Sequence, residues 1–182
     1  MIYLEGDTCY LRTLNMKDAP ALADLTYRNK MYWSVYEPLH RDDYYSTTVQ
    51  REKIRESLML AKEKREYSFG IFEHQSDKMI GSVSLYSIKR MPFSSGLIGY
   101  SMDESNIGKG IASEAVHLVK IFGFEHVQLN RIEAYVSPKN HGSIKVLEKN
   151  GFTQEGLLRK LLFINGIWQD HYIYATLTDE HI

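Results

Sequence analysis

The sequence predicts a mixed α+β fold in which helices flank a mostly antiparallel sheet. Two observations support this prediction. Short runs alternate apolar and polar residues, as half-buried strands do, and other segments repeat apolar residues every three to four positions, as amphipathic helices do. These segments follow the order β-α-α-β-β-β-α-β-α-β-β. Three successive strands form a meander, and helices and strands alternate after it, which is typical of a sheet with helices packed on it.

The first third of the chain predicts one strand and two helices. A strand is expected at residues 8–14, and Asn15 is a suitable cap for the helix that follows. Residues 28–46 are rich in aromatic side chains and lack a clear period, so we expect an irregular segment that lines a pocket. Thr47-x-x-Gln50 has the form of a capping box at the start of the second helix.

The remaining elements follow from turn residues and periodicity. We expect strands at residues 67–73, 79–86, 97–102, 131–136, 152–155, 160–164 and 171–177. A helix is expected to begin near Ile111, and a shorter one to end at Asn150-Gly151. Asn165-Gly166 is a strong signal for a two-residue hairpin turn.

The loop before the helix at Ile111 carries the clearest chemical signal. Gly108 and Gly110 precede free N–H groups of the first helical turn, where the helix dipole favours an anion. A Walker loop would need glycine in place of Asp103, and a dinucleotide fingerprint would need glycine or alanine in place of Ser113. The pattern therefore predicts a phosphate cradle of another type.

Composition limits the other possibilities. The 182 residues include 22 basic and 23 acidic side chains, so no global field favours nucleic acid or an anionic membrane. Cys9 is the single cysteine, and no run approaches about 18 apolar residues. The seven histidines form no metal-binding motif. We expect one cytoplasmic domain over residues 1–182, without a metal, a nucleic-acid partner or a membrane segment.

Longer motifs reveal a family resemblance. The segments 105–115, 130–156 and 158–172, together with Tyr36-Glu37-Pro38, resemble the GNAT acyl-CoA N-acyltransferases, and within them the ribosomal-protein-alanine N-acetyltransferase branch. This resemblance covers nearly the whole chain. It implies that the fourth and fifth predicted strands, 97–102 and 131–136, splay apart beyond a bulge and leave backbone groups for the pantetheine arm of the cofactor.

The resemblance also implies a cofactor and its binding residues. Acetyl-CoA is expected to place its diphosphate on the glycine loop, with Lys109 adding charge at the rim and Asn140 bonding the pantetheine or adjoining backbone. Met102, at the bulge, would offer a backbone N–H to the developing oxyanion, and Ser143 would protonate the leaving thiolate. The expected cofactor-binding residues are Met102, Asn106, Ile107, Gly108, Lys109, Gly110, Ile111, Ala112, Asn140 and Ser143.

The acceptor amine must be deprotonated before transfer. At pH 7 this costs about 1.4 kcal/mol for a protein N-terminus and about 4.6 kcal/mol for lysine, so an N-terminal acceptor needs a modest base. Glu37 is the candidate that accepts the proton, and Glu133 is the second candidate. No cysteine lies among the motifs, so we expect direct transfer with Ser143 and Glu37 as the catalytic residues.

The sequence leaves the acceptor open. The N-terminal amine of a protein, ribosomal proteins included, competes with a polyamine, an amino acid or an antibiotic amine. A different class is a non-catalytic acyl-CoA-binding or ribosome-associated module, because Ser105 stands where the family has Gln or Arg. Ser105 is nevertheless expected to offer its backbone N–H to the phosphate. The sequence is compatible with a monomer and with a homodimer.

Overall fold

One sheet of eight strands organises the chain, and the computed structural model describes residues 1–181 of it. The strands are β1 (Tyr3–Glu5), β2 (Cys9–Thr13), β3 (Tyr67–Glu73), β4 (Met79–Lys89), β5 (Ser95–Met102), β6 (Arg131–Val136), β7 (Thr153–Ile164) and β8 (Ile167–Leu177). The helices are α1 (Ala19–Trp33), α2 (Thr47–Lys62), α3 (Ile111–Glu125) and α4 (His141–Lys149). The strand order is β1-β2-β3-β4-β5-β6-β8-β7, and only β5 and β6 pair in parallel. The predicted fold class is confirmed.

The helices cover both faces of the sheet. Side chains of β3 alternate, so that Phe69 packs in the cluster that holds Val116 and Val119 of α3, while Phe72 packs with Leu25 of α1. Leu147 brings α4 to the α3 face. The two N-terminal helices therefore lie on one side of the sheet, and α3 and α4 lie on the other.

Two predictions for the N-terminal third were wrong. Helix α1 continues to Trp33, past the expected end of the helix near Arg28, and the Asn29 side chain donates to the Leu25 carbonyl within it. Helix α2 is capped by Ser46, whose Oγ accepts from the Val49 N–H at 3.3 Å. The expected capping box starting at Thr47 lies one residue too late, because either of two adjacent hydroxyls satisfies the sequence signal.

The C-terminal strands also differ from the prediction. The two runs expected at residues 152–155 and 160–164 form the single strand β7, whose register against β8 shifts between Leu158 and Leu162. Lys160 has a φ of 50° at this irregularity, so the strand bends there without ending. The hairpin at Asn165-Gly166 is confirmed, since both residues have positive φ. Strand β1 was not predicted.

A gap opens between β5 and β6. The two strands pair only at their first three positions, from Ser95–Arg131 to Leu97–Glu133, and then separate. The expected splay is therefore present. The expected bulge at Met102 is not, because the irregularity in the β4–β5 ladder lies at the other end, between Tyr86 and Lys89 of β4.

Candidate active site

The start of α3 has the backbone conformation that the two glycines were expected to permit. Gly108 has a φ of 73°, and Gly110, the N-cap of α3, has a φ of 81°. L-residues avoid this left-handed region, so glycine is needed at both positions. No atom lies within 4 Å of a Cβ built at either position, so open space adjoins the loop.

The amides of this loop are free over a shorter range than expected. Among the described residues, no hydrogen-bond acceptor is recorded for the N–H groups from Ile107 to Ala112. The Asn106 N–H donates to the Asp103 carbonyl at 2.8 Å, and the Ser105 N–H donates to the Asp103 carboxylate at 3.3 Å. The expectation that Ser105 and Asn106 offer their amides to a phosphate is therefore wrong, because Asp103 takes both.

A cavity of about 480 Å³ joins the glycine loop to α4 and to the end of β5. It is lined by Tyr32, Trp33, Tyr36, Glu37, Tyr100, Ser101, Met102, Asn106, Ile107, Gly108, Gly110, Ile111, Ala112, Ser113, Asn140, Gly142, Ser143, Lys145, Val146 and Lys149. All the residues expected to be catalytic or to bind the cofactor, apart from Lys109, line this cavity. Lys109 is exposed and does not line it. Lys145 and Lys149, which were not predicted, bring positive charge to it from successive turns of α4, a spacing visible in the sequence.

Ser143 lies in a short hydrogen-bonded group at the start of α4. Its Oγ is 2.7 Å from the hydroxyl of Tyr100, and its N–H donates to Asn140 Oδ1 at 3.1 Å. Asn140 thus caps α4, so its side-chain oxygen bonds adjoining backbone, one of the two roles considered for it. Burial raises the pKa of Tyr100 to about 12, which keeps its hydroxyl protonated. Tyr100 was not predicted, because it is 43 residues from Ser143.

Met102 ends β5 with both backbone polar groups turned away from β4. Its carbonyl accepts from Trp33 Nε1 at 2.8 Å, while the next N–H, that of Asp103, donates to the Ile80 carbonyl of β4. Backbone groups alternate in direction along an antiparallel strand. The Met102 N–H therefore faces the side on which β6 has separated from β5.

Glu37 lies beside this strand end. Ser101 Oγ donates to Glu37 Oε1 at 2.5 Å, and no cationic partner for Glu37 is recorded in residues 1–181. Burial raises the pKa of Glu37, and the Ser101 hydrogen bond partly opposes that rise. The second candidate, Glu133, pairs instead with Arg131 at 2.6 Å and does not line the cavity.

A second cavity of about 290 Å³ lies between the α1–α2 pair and the sheet. Its wall includes Ser68, Ser82 and Ser84 of the sheet, with Tyr44, Gln50 and Lys53 at or before α2. Trp33, Glu37 and Ser101 line both cavities. Glu37 therefore faces two spaces that approach each other from opposite sides of the sheet.

Within residues 1–181, no three His, Cys, Asp or Glu side chains come together in a group that could hold a metal ion. In the same part of the chain, no helix has both the length and the apolar character needed to cross a membrane.

The chain is similar to known acetyltransferases over nearly its whole length. Residues 9–153 match the family described as "Acetyltransferase (GNAT) domain". The probable N-acetyltransferase YjcK of Bacillus subtilis is 42% identical over 177 residues, covering 97% of this chain and 98% of the relative. The structure of ribosomal-protein-S5-alanine acetyltransferase from Vibrio fischeri superimposes with a TM-score of 0.94 at 31% identity, covering all of both chains. That of Mycobacterium smegmatis RimJ in complex with CoA-disulfide gives 0.89 at 30% identity, covering 94% of this chain and 83% of the other. The chain therefore belongs to the GNAT acetyltransferases and is an acetyl-CoA-dependent N-acetyltransferase.

Proposed function

We propose that this enzyme acetylates the N-terminal amino group of a protein, with ribosomal proteins as the first candidates. The observation that carries the proposal is the position of Glu37, a half-buried carboxylate without a cationic partner on the common wall of the two cavities. The relative from Vibrio fischeri is named for acetylating the alanine of a ribosomal protein. An α-amino acceptor also suits a carboxylate base, since its pKa is near 8.

The larger cavity suits acetyl-CoA, which supplies a reactive acetyl thioester when bound. The free N–H groups from Ile107 to Ala112 would bind its diphosphate, aided by the positive end of α3. Lys145 and Lys149 would add charge at the opposite wall. The separated edges of β5 and β6 would hydrogen-bond the amides of the pantetheine arm, and Asn140 keeps its Nδ2 donor for the same arm while Oδ1 caps α4.

Glu37 would hold the acceptor ammonium and then take its proton. The raised pKa of this carboxyl makes it a stronger base than an exposed glutamate. The neutral amine then forms the new C–N bond to the acetyl carbon, and the C–S bond breaks. Trp33, bonded to the Met102 carbonyl, would help to fix the wall against which the amine lies.

Two groups would stabilise the charge that develops during transfer. The Met102 N–H faces the gap and would donate to the acetyl oxygen. Ser143 would deliver a proton to the departing sulfur and would recover one, through solvent, from the amine nitrogen, which loses its second proton as the amide forms. The Tyr100 hydroxyl, 2.7 Å from Ser143 Oγ, would stay protonated and hold the Ser143 hydroxyl in place. In this proposal Tyr100 acts through Ser143 and is a positioning residue.

A comparative acetylation assay tests the acceptor. Peptides that begin with Ala or Ser would be offered beside spermidine and free amino acids, and thiol release and product mass would be measured. Faster turnover of the peptides supports the proposal, and turnover of free amino acids alone would overturn it. A small amine is the second candidate, because the second cavity, at about 290 Å³, is at the small end of ligand-site volumes.

A further inference from the structure

A row of serine hydroxyls crosses the sheet on the floor of the second cavity. Ser68 of β3 is directly opposite Ser84 of β4, and Ser82 of β4 is directly opposite Ser101 of β5. All four face the α1–α2 side, and Ser68 Oγ is 2.7 Å from Ser84 Oγ. The floor that would meet an acceptor is therefore polar, while Leu residues of the helices provide the apolar roof.

A carboxylate stands at each end of this serine row. Ser101 donates to Glu37 at one end, and Ser68 donates to Glu66 Oε1 at 2.7 Å at the other. The row spans two strand spacings and a two-residue offset, which places the Cα atoms of Ser68 and Ser101 about 12 Å apart. Since each carboxylate is bonded to its serine, the two acids are on the order of 10 Å apart.

Two other shielded acids of the chain, Asp18 and Asp103, have the cationic partners that Glu37 and Glu66 lack within residues 1–181. Asp18 pairs with Arg12 at 2.8 Å, and Asp103 pairs with Arg28 at 2.6 Å. Glu66 is half-buried, yet no ion pair to it is recorded among residues 1–181. A half-buried carboxylate loses part of its hydration. A cation from outside the chain can offset the cost of that loss.

Lys53 is the remaining charged side chain in the described lining of this cavity. It is exposed, its Nζ donates to the Tyr44 hydroxyl at 3.0 Å, and it lies 4.6 Å from the centre of the Tyr44 ring. The ammonium is thus held by the aromatic segment at the entrance. The sheet side of the cavity keeps two negative charges and a row of hydroxyls between them.

We infer that the second cavity selects an acceptor with two cationic groups roughly 10 Å apart. Glu37 receives the amine that is acetylated, and Glu66, held by Ser68, receives the second cation, while the serine hydroxyls bond the polar chain between them. A peptide with a basic residue near its N-terminus and a linear polyamine share this chemistry. The inference rests on the proposed function, and it adds Glu66 as a specificity determinant distant from the transferred group.

The test compares matched acceptors. Alanine-initiated tetrapeptide amides with Lys or Gln at position three or four form one set, and the linear diamine 1,7-diaminoheptane with heptylamine forms the other. We expect KM to be about tenfold lower for the dibasic member of the preferred set, as one charge-assisted contact would give. The set that shows the larger ratio identifies the source of the second cation.

Variants assign that preference to Glu66. Glu66→Gln should reduce the KM ratio between dibasic and monobasic acceptors to near one without changing coenzyme A affinity, and Ser68→Ala should reduce it partly. Glu63→Gln is the matched control, because Glu63 is exposed and pairs with Arg65 outside the cavity. An unchanged ratio in Glu66→Gln, or no dibasic preference in the wild type, would overturn the inference. If the wild type acetylated no amine in either set, the proposed function itself would fail.

Discussion

The two cavities are built from different parts of the polypeptide. The larger one presents backbone groups, namely the amides from Ile107 to Ala112 and the separated edges of β5 and β6. The smaller one presents side chains, among them the four serines of the sheet and two glutamates from distant segments. Backbone recognition suits a cofactor with the same phosphates in every reaction, whereas side-chain recognition allows one fold to serve different acceptors. Cofactor and acceptor specificity can therefore change independently.

The largest expected effect tests whether the glycine loop binds coenzyme A or is only an ordinary turn. Gly110→Trp should weaken coenzyme A binding by at least about 100-fold, because an indole at this position enters the space from which the phosphates are bound. Gly166→Trp is the matched control, since Gly166 has a similar φ of 89° and no neighbour within 4 Å of its Cβ. Calorimetric titration with coenzyme A measures both. Equal losses in the two variants would show that backbone strain, and not the cavity, is responsible.

The next effect concerns the base on the common wall. Glu37→Gln should lower kcat about 100-fold with coenzyme A affinity unchanged. The wild-type kcat/KM profile should fall on the acid side as the carboxyl is protonated, and burial places that fall above the usual glutamate pKa of 4.5. The variant should lack this acidic limb. If the kcat/KM profile of Glu37→Gln kept an acidic limb at the same pH, Glu37 would have no role in catalysis.

Glu37→Gln, which lowers activity, should not lower the stability of the folded protein. Its folded pKa is raised, so the folded state binds more protons than the unfolded state between the two pKa values. Stability is therefore lost as pH rises from 4.5 through the folded pKa. At pH 7, Glu37→Gln should match or exceed the wild type in Tm by differential scanning calorimetry. A clear drop in Tm would mean that the carboxylate supports the fold.

A moderate effect tests the cofactor side of the mechanism. Ser143→Ala should lower kcat about tenfold while leaving the affinity for coenzyme A unchanged. Tyr100→Phe should reproduce part of this loss, because it removes the hydroxyl 2.7 Å from Ser143 Oγ. Single-turnover assays separate the chemical step from product release. If Ser143→Ala turned over at the wild-type rate, neither hydroxyl could serve the leaving thiolate.

The smallest effect is a shift in pH dependence. Ser101→Ala removes the hydrogen bond that lowers the pKa of Glu37, so the acidic limb of kcat/KM should move to higher pH. Ser82→Ala, in the same serine row but without a recorded bond to Glu37 among the described residues, should leave the limb in place. A shift in both variants would point to a general change of the cavity.

The larger, backbone-built cavity was predicted from the sequence more fully than the smaller cavity, which is built from side chains. Gly108 and Gly110 act through local dihedral angles, and strands such as 131–136 follow from alternation, so both can be predicted from neighbouring residues. Lys109 is exposed and is not part of the cavity lining, and its expected role at the rim stays a prediction. The roles assigned to Met102, Asn140, Ser143 and Glu37, and the single-domain organisation, stay predictions.

The side-chain contacts could not be predicted from the sequence, and the reason is physical. Glu37 meets Ser101 from 64 residues away, and Trp33 reaches the Met102 carbonyl from 69. Such pairs are created by packing and have no period or spacing of their own. Glu133 was a candidate base by sequence, but its ion pair with Arg131 on the same strand neutralises its charge. This pairing makes Glu133 unsuitable as the base.

The opening in the middle of the sheet has a consequence for solubility. Unpaired strand edges commonly recruit other polypeptides and lead to aggregation. Here β5 keeps its ladder with β4, and β6 keeps its ladder with β8, so both flanks of the opening belong to the same molecule. A strand of another molecule would have to insert between two intact ladders. A narrow ligand with amide groups needs less space to enter the same gap. The enzyme can thus carry unsatisfied β-edges without exposing them to its neighbours.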